Sequence, residues 1–343
     1  MKFFRIISYN ILIFLTLITF LEVVFGYWFK SENFGIYMRK ERKLNWKTES
    51  SFYGVKHDFF YKRNYWGFRG ENFNPKEVKV LFEGGSTGNQ RFTPEKLTIV
   101  GILNKKFSAI DKNIKIYNAS TDGKSVMGYI NDFKFWFPKI PNFKPSHVIF
   151  FIGVNDRFID DRYFLDFKIS ETKIDQIKDY IKNNSYFVDK FKIVKNRFFP
   201  KNTLAYDFSD RKLYENFVFI DYETAKGIHK NKTKKNEQLL KKFSSKLNKL
   251  KMIIENHNIV PIFITQLMYD GLKDKKLFLV NNELKNFALE NNYYIITLDE
   301  ILDMKQNDFF DTVHTTPQGS KRIADKIFPL LIEFFKENNE ITE

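Results

Sequence analysis

Cysteine is absent from the 343 residues, which excludes disulfide scaffolds, thiol nucleophiles, iron–sulfur clusters and cysteine-ligated zinc together. Any chemistry must come from oxygen and nitrogen groups. Histidine is scarce: besides His314 there are only His57, His147, His229 and His257. Those four share no metal-ligand spacing, and no HExxH occurs. Neither a metal nor another cofactor is therefore expected. Arginine clusters of the kind that read bases and grip phosphates are also missing. The net charge of +15 comes from lysine spread along the whole chain, so it reads as compositional bias and no nucleic-acid partner is expected. What the chain does have is 43% hydrophobic and 18% aromatic residues, enough for a substantial core in one large domain, or one domain with an insertion.

Residues 6–29, IISYNILIFLTLITFLEVVFGYWF, form a 24-residue apolar stretch, and a helix of about 20 residues crosses a bilayer. Lys2 and Arg5 precede it and favour a cytoplasmic N-terminus with the remainder exported, although Lys30 and the basic cluster at 39–43 weaken the asymmetry. Tyr27 and Trp28 suit the outer interface. Glu22 is costly in lipid and is expected to snorkel or to pair with a neighbour. Residues 1–30 thus read as a cytoplasmic tip and an uncleaved transmembrane signal anchor. The competing readings are a cleaved signal peptide, with Val24 and Gly26 before the cut but no Ala-x-Ala site, and a helix buried in a soluble core.

Residues 31–76 are polar, aromatic and irregular, ending in NYWGFRG and Pro75, and read as a stalk leading into the domain. From residue 77 to 343, apolar runs rich in Val, Ile and Phe alternate with longer amphipathic segments, the pattern of a parallel sheet covered by helices. The expected strands are 78–84, 114–120, 147–153, 259–266 and 293–299; the expected helices fill 94–108, 124–137, 233–256, 275–291 and 317–337. The stretch 157–230 breaks this rhythm and reads as an insertion capping one end of the sheet. The lysine run at 230–235 reads as a solvated helix start.

In an open parallel sheet, ligands bind beyond the carboxyl ends of the strands. After the first run comes Glu83-Gly84-Gly85-Ser86-Thr87-Gly88, a glycine-rich turn that exposes a serine hydroxyl at a helix start. A phosphate loop would need a lysine where Asn89 and Gln90 stand. After the second run comes Asn118-Ala119-Ser120-Thr121-Asp122-Gly123, and after the third Gly153-Val154-Asn155-Asp156. Following the last, Asp311-Thr312-Val313-His314 precedes a helix beginning near Pro317, a spacing that can bring a carboxylate and an imidazole together. Taken singly, each block is an ordinary turn or cap.

In this order, GGS, NAS..G, GVND and D..H over residues 78 to about 337, the chain resembles the SGNH hydrolases, the GDSL esterase and lipase family, in a membrane-anchored bacterial branch. The resemblance implies a three-layer α/β/α sandwich with a parallel, flavodoxin-like five-stranded sheet, here preceded by a transmembrane helix. It also implies roles. Ser86 would be the nucleophile and His314 its base, with Asp311 holding the imidazole; the Ser86 and Gly123 backbone N–H groups and the Asn155 amide would form the oxyanion hole. Two positions depart from the common pattern: Gly85 stands where many members have Asp, and Ser120 where many have Gly. Gly67, Phe68 and Arg69 would pack beside the site. Arg69 is a candidate substrate contact, with a salt bridge or carbonyl clamp as the competing reading. Asp156 reads as a turn or supporting group.

The function implied is an esterase cleaving an O-acyl ester, with O-acetyl on a cell-envelope glycan as the expected substrate, tethered to the bacterial membrane with its catalytic domain on the exported side. An acyltransferase to a surface polysaccharide would use the same triad. A lipid-directed esterase or thioesterase and a catalytically silent polysaccharide-assembly scaffold are further alternatives.

Overall fold

Five short strands, β3 (Val80–Gly84), β4 (Ile116–Asn118), β5 (His147–Phe151), β6 (Val260–Ile264) and β7 (Tyr294–Ile296), form one parallel sheet in the order β4-β3-β5-β6-β7. Each lies inside one of the five apolar runs expected as strands. All residues of β3, β4 and β5 are buried, as a sheet covered on both faces requires. The order is the flavodoxin-like 2-1-3-4-5, whose switch point lies between its first and third strands, here β3 and β5. This computed structural model describes residues 2–26, 28–29, 43–47, 58–110, 114–158, 173–198, 217–230, 233–338 and 340.

The described residues divide between two compact units, one within Met1–Arg39 and Lys168–Asp207, the other within Lys40–Phe167 and Phe208–Glu343. In the larger unit, helix α3 (Ile99–Ser108) packs against α11 (Pro317–Glu337), and α8 (Lys234–Asn256) packs against α9 (Lys275–Glu290) and α4 (Val126–Asn131). With the sheet between these groups, the result is the expected three-layer α/β/α sandwich. Capping residues set the helix starts: the Thr98, Thr233 and Asp274 side chains accept from Gly101, Asn236 and Lys276 N–H groups, and Thr316 precedes Pro317 at the first position of α11.

The helix expected over 124–137 is broken into three pieces: α4, a π-helical turn at Asp132–Trp136, and a 3-10 turn at Phe137–Lys139. Pro138 supplies no N–H to continue the α-helix.

The stalk reading ends too late. Tyr61, Arg63, Phe68 and Arg69 are all buried, and the Arg69 N–H donates to the Asn118 carbonyl at 2.9 Å, extending the sheet beyond β4. Phe68 sits among Phe73, Trp136, Phe137 and Phe143. Residues 58–76 therefore belong to the domain; β1 (Lys43–Lys47) pairs antiparallel with β2 (Asp58–Lys62), and 31–42 and 48–57 lie outside the described residues. Of the 157–230 insertion, 159–172 and 199–216 lie outside the described residues. Its described helices are α5 (Lys173–Asn184), α6 (Tyr186–Phe198) and α7 (Tyr222–Ile228).

The smaller unit contains α1 (Lys2–Phe25), a 24-residue helix long and apolar enough to cross a membrane. Tyr27 lies outside the described residues. Glu22 pairs rather than snorkels: its carboxylate accepts from Trp28 Nε1 at 2.8 Å, Ser185 Oγ at 2.5 Å and the Tyr186 N–H at 2.9 Å.

Candidate active site

Strand β3 delivers the chain directly into α2 (Ser86–Asn89), so the serine follows the sheet at its carboxyl edge, beside the switch point. From residue 80 to residue 90 every residue is buried except Ser86, which is half-exposed. Close packing dictates the glycines around it. A Cβ on Gly88 would lie 2.6 Å from Ser120 Oγ, and one on Gly85 would lie 2.4 Å from Asn155 Nδ2 and 2.9 Å from the Lys124 carbonyl.

Helix α2 is fastened to the three other loops expected to carry the site. The Gly85 contact brings Asn155 against the residue preceding the serine, and the Asn155 amide donates to the Lys124 carbonyl at 2.8 Å. Asn89 at the end of the helix donates to Asp122 Oδ1 at 2.5 Å, holding the turn that contains Gly123. Gly123 has φ +77°, a left-handed backbone that glycine takes without strain. Gln90, also left-handed, donates to Thr315 Oγ1 at 2.9 Å and to Ser320 Oγ at 2.5 Å, holding the segment that contains His314.

Within that segment Asp311 and His314 are paired. Asp311 Oδ2 lies 2.6 Å from His314 Nδ1, while Oδ1 accepts the Val313 and His314 N–H groups at 2.8 and 2.7 Å. Burial pushes the Asp311 carboxyl up, but these hydrogen bonds and the imidazole outweigh it and hold the group below its ordinary value. The Phe310 ring stacks on the imidazole at 5.5 Å. With Nδ1 taken up by Asp311, Nε2 is the ring nitrogen left for a proton transfer.

A match to the GDSL-like lipase/acylhydrolase family covers residues 58–327, well over half of the sequence. The chain belongs to that family. It is an SGNH-type esterase, and ester hydrolysis is its general chemistry. Solved structures similar to it include a G-D-S-L family lipolytic protein from Veillonella parvula, at 16% identity over 74% of this chain and 97% of that one, with a TM-score of 0.41. Others are TesA, at 12% identity over 74% and 97% with a TM-score of 0.42, and the acetylxylan esterase Axe2 from Geobacillus stearothermophilus, at 14% over 74% and 93% with a TM-score of 0.41. No curated protein matches the sequence.

For this esterase, both departures from the GDSL pattern have a steric cause. The Asn155 amide and the Lys124 carbonyl fill the space a side chain at position 85 would need, and Ser120 Oγ fills the space beside Gly84 and Gly88. Arg69 corrects the substrate-contact expectation. It is buried, and its guanidinium is taken up within the chain: Nε donates to Glu95 at 2.6 Å and the terminal nitrogens donate to the Asn89 and Thr93 carbonyls. It is the carbonyl clamp of the competing reading. Asp156 supports the turn, its Oδ1 accepting the Val126 N–H at 3.0 Å. His147 and His229 serve the fold, against Ser146 Oγ at 2.9 Å and the Leu272 carbonyl at 3.0 Å.

Other supporting residues escaped the sequence reading. Gln266, just past β6, donates to Thr87 Oγ1 at 3.1 Å and the Phe151 carbonyl at 2.8 Å and accepts the Val154 N–H at 2.8 Å, bracing the residues next to Ser86 and Asn155 together. Lys124 is buried with Glu83, 2.9 Å away, and Asp132. Burial would push the Lys124 ammonium down, but the two carboxylates hold it up and charged. Burial in turn raises the Glu83 carboxyl well above its ordinary value, with the Asp132 charge adding to it, and raises Asp132 to about 6 in spite of its bonds to Lys124 and Glu83. The signal that could have found Gln266 and Glu83 is a polar residue at the end of an apolar strand.

Proposed function

We propose that Ser86, His314 and Asp311 are the catalytic triad of this esterase, that the Ser86 N–H, the Gly123 N–H and the Asn155 amide form its oxyanion hole, and that the ester is an O-acyl group, O-acetyl foremost, on a cell-envelope glycan. The observation that carries this reading is the fastening of α2 to the Asn155, Gly123 and His314 loops through Gly85, Asn89 and Gln90. His314 takes the Ser86 proton as Oγ attacks the ester carbonyl and returns it to the leaving sugar hydroxyl. Water, activated by the same imidazole, then releases the acid and frees the serine. Asp311 fixes the tautomer that leaves Nε2 free for this work and stabilises the imidazolium. The half-exposure of Ser86 among buried neighbours suits attack on a substrate arriving from solvent.

Helix α1 is the anchor in a bacterial cell membrane, single-pass, with Lys2 and Arg5 on the cytoplasmic side and the esterase domain exported. That location puts envelope glycans within reach.

The test is hydrolysis of p-nitrophenyl acetate against longer acyl esters, with Ser86→Ala and His314→Ala alongside and fluorophosphonate labelling of each. Turnover that falls with acyl length and is lost in both variants, with labelling confined to proteins retaining Ser86, is expected. Serine-independent background without labelling would overturn the hydrolase assignment; labelling without turnover would point to an acyltransferase awaiting its acceptor.

A further inference from the structure

Helix α6 carries an apolar stripe that nothing among the described residues of its own unit covers. Phe187, Phe191, Val194 and Phe198 recur at the i, i+4, i+7, i+11 spacing of one helix face, and Phe191 and Phe198 are 68% and 72% exposed. Helix α5 repeats the pattern with exposed Ile174, Ile177 and Ile181. By the 100° helical step, exposed Lys190 and Lys195 fall on either side of the α6 stripe, placed so that their ammonium groups can reach sideways while the stems cover apolar surface. Residues 173–198 hold seven Lys and Arg against three Asp.

The hairpin is fixed to one place on α1. Glu22, one turn from the end of that helix, accepts the Tyr186 N–H at 2.9 Å and the Phe187 N–H at 3.2 Å, the first donors of α6, together with Ser185 Oγ. A carboxylate at a helix N-terminus satisfies orphan donors and meets the positive end of the helix dipole. Aromatic contacts reinforce the joint: Phe25 with Tyr186 at 5.4 Å and Trp28 with Tyr180 at 5.7 Å. Glu22, the residue least suited to the apolar stretch, is the clamp that holds the insertion to it.

We propose that α5 and α6 are an interfacial membrane-binding element, seated by Glu22 at the outer end of α1 with their apolar stripes in the headgroup–acyl boundary of an anionic bilayer. The proposal rests on α1 being the membrane anchor. The stripe begins at the joint, where Phe187 donates its N–H to Glu22, and the flanking lysines match anionic phosphates. A segment that looks in sequence like a cap on the sheet is then a float that fixes how the chain meets the membrane surface.

The absence of cysteine makes a spin-label test direct. Single-cysteine variants of the full chain, Phe191→Cys, Val194→Cys, Phe198→Cys, Asn196→Cys, half a turn from the stripe by the same 100° step, and Leu12→Cys in α1, would be nitroxide-labelled and reconstituted in phosphatidylcholine–phosphatidylglycerol vesicles. Collision with oxygen is then compared with collision with a water-soluble nickel chelate. The expected result is an excess of oxygen collisions at 191, 194 and 198 and at 12, with an excess of nickel collisions at 196. Lipid exposure at 12 with nickel excess along the whole α6 stripe would overturn this proposal and leave the anchor standing. Nickel excess at 12 would overturn the anchor itself. Low collision with both reagents at 191, 194 and 198 would mean that a second copy covers the stripe, and would overturn the interfacial reading equally.

Discussion

Gln90 donates through its side-chain amide to Thr315 Oγ1 at 2.9 Å, joining the residue that closes the Ser86 helix to the neighbour of His314 across 225 positions of sequence. The same side chain accepts the Ile99 N–H at 2.7 Å and reaches Ser320 at the start of α11. One buried amide thus ties the end of the Ser86 helix to the segment that carries His314 and caps the first N–H of α3.

Gln90→Leu should therefore damage catalysis more than its distance from the ester bond suggests. It leaves the Ile99 N–H, Thr315 and Ser320 without this partner inside the protein, at about 1–3 kcal/mol for each such buried group. The expected outcome is a lower denaturation midpoint together with a fall in kcat on p-nitrophenyl acetate measured on protein that is still folded. Full kcat in a destabilised protein would separate the link from the catalytic spacing.

Position 85 gives a prediction that runs against the family motif. Gly85→Asp restores the residue many relatives carry, yet any Cβ there collides with the Asn155 amide at 2.4 Å. Activity is expected to fall in Gly85→Asp and in Gly85→Ala. Asn155→Ala alone should cost about 100- to 1000-fold in kcat, the usual effect of removing an oxyanion donor. Since the closest clash is with that amide, Gly85→Ala should cost less on Asn155→Ala than on the wild type, the Lys124 carbonyl at 2.9 Å supplying what cost remains, and a double-mutant cycle reads that non-additivity directly.

What the sequence made legible follows from local physics. Continuous apolar runs announced all five strands, and the chemistry-bearing blocks at their ends could be ordered because a parallel sheet puts every such end on one edge. Residues whose roles depend on distant partners were not legible. Phe68 and Arg69 looked like a stalk because their packing partners lie far along the chain, among them Phe143 and Asn118. Lys124 looked like the first residue of the helix expected over 124–137, and nothing nearby in sequence showed that Glu83 would help enclose it. Glu22 looked like a liability of the apolar stretch, and the donors that explain it include Ser185 and Tyr186, more than 160 positions away.

Arg69 should behave as a structural residue. Arg69→Met removes charge-assisted hydrogen bonds to the Asn89 and Thr93 carbonyls and to Glu95, each worth about 1.5–3 kcal/mol when buried. A fall in Tm with an unchanged KM on the folded fraction is expected. A raised KM at full stability would return the residue to the substrate.

The two acidic positions around the site should give pH effects of opposite sign. The Asp132 carboxyl is raised from 3.8 to about 6 in the folded protein, burial being the first cause. The folded state therefore binds its proton more tightly than the unfolded chain. The stability it contributes is full below its unfolded value and is lost as pH rises through about 6. Asp132→Asn cannot ionise, so the denaturation midpoint of the wild type should decline relative to this variant between about pH 4 and pH 7.

Asp311 is held below its ordinary value by its bonds to His314 and Val313, which outweigh burial. Its contribution to stability is present above the unfolded value and disappears as pH falls through the folded one. The stability advantage of wild type over Asp311→Asn should accordingly be full at neutral pH and shrink in acid, the reverse of the Asp132 series. Catalysis should suffer far more than stability. An amide in place of the carboxylate can present a donor to Nδ1, favouring the tautomer whose proton sits on Nε2, where it cannot accept from Ser86. In a serine protease the analogous change costs about 10⁴-fold in kcat. A loss of that order here, with fluorophosphonate labelling of Ser86 slowed in parallel, is the expected result. A variant that kept its labelling rate would show that His314 activates the serine without needing Asp311 to set its tautomer.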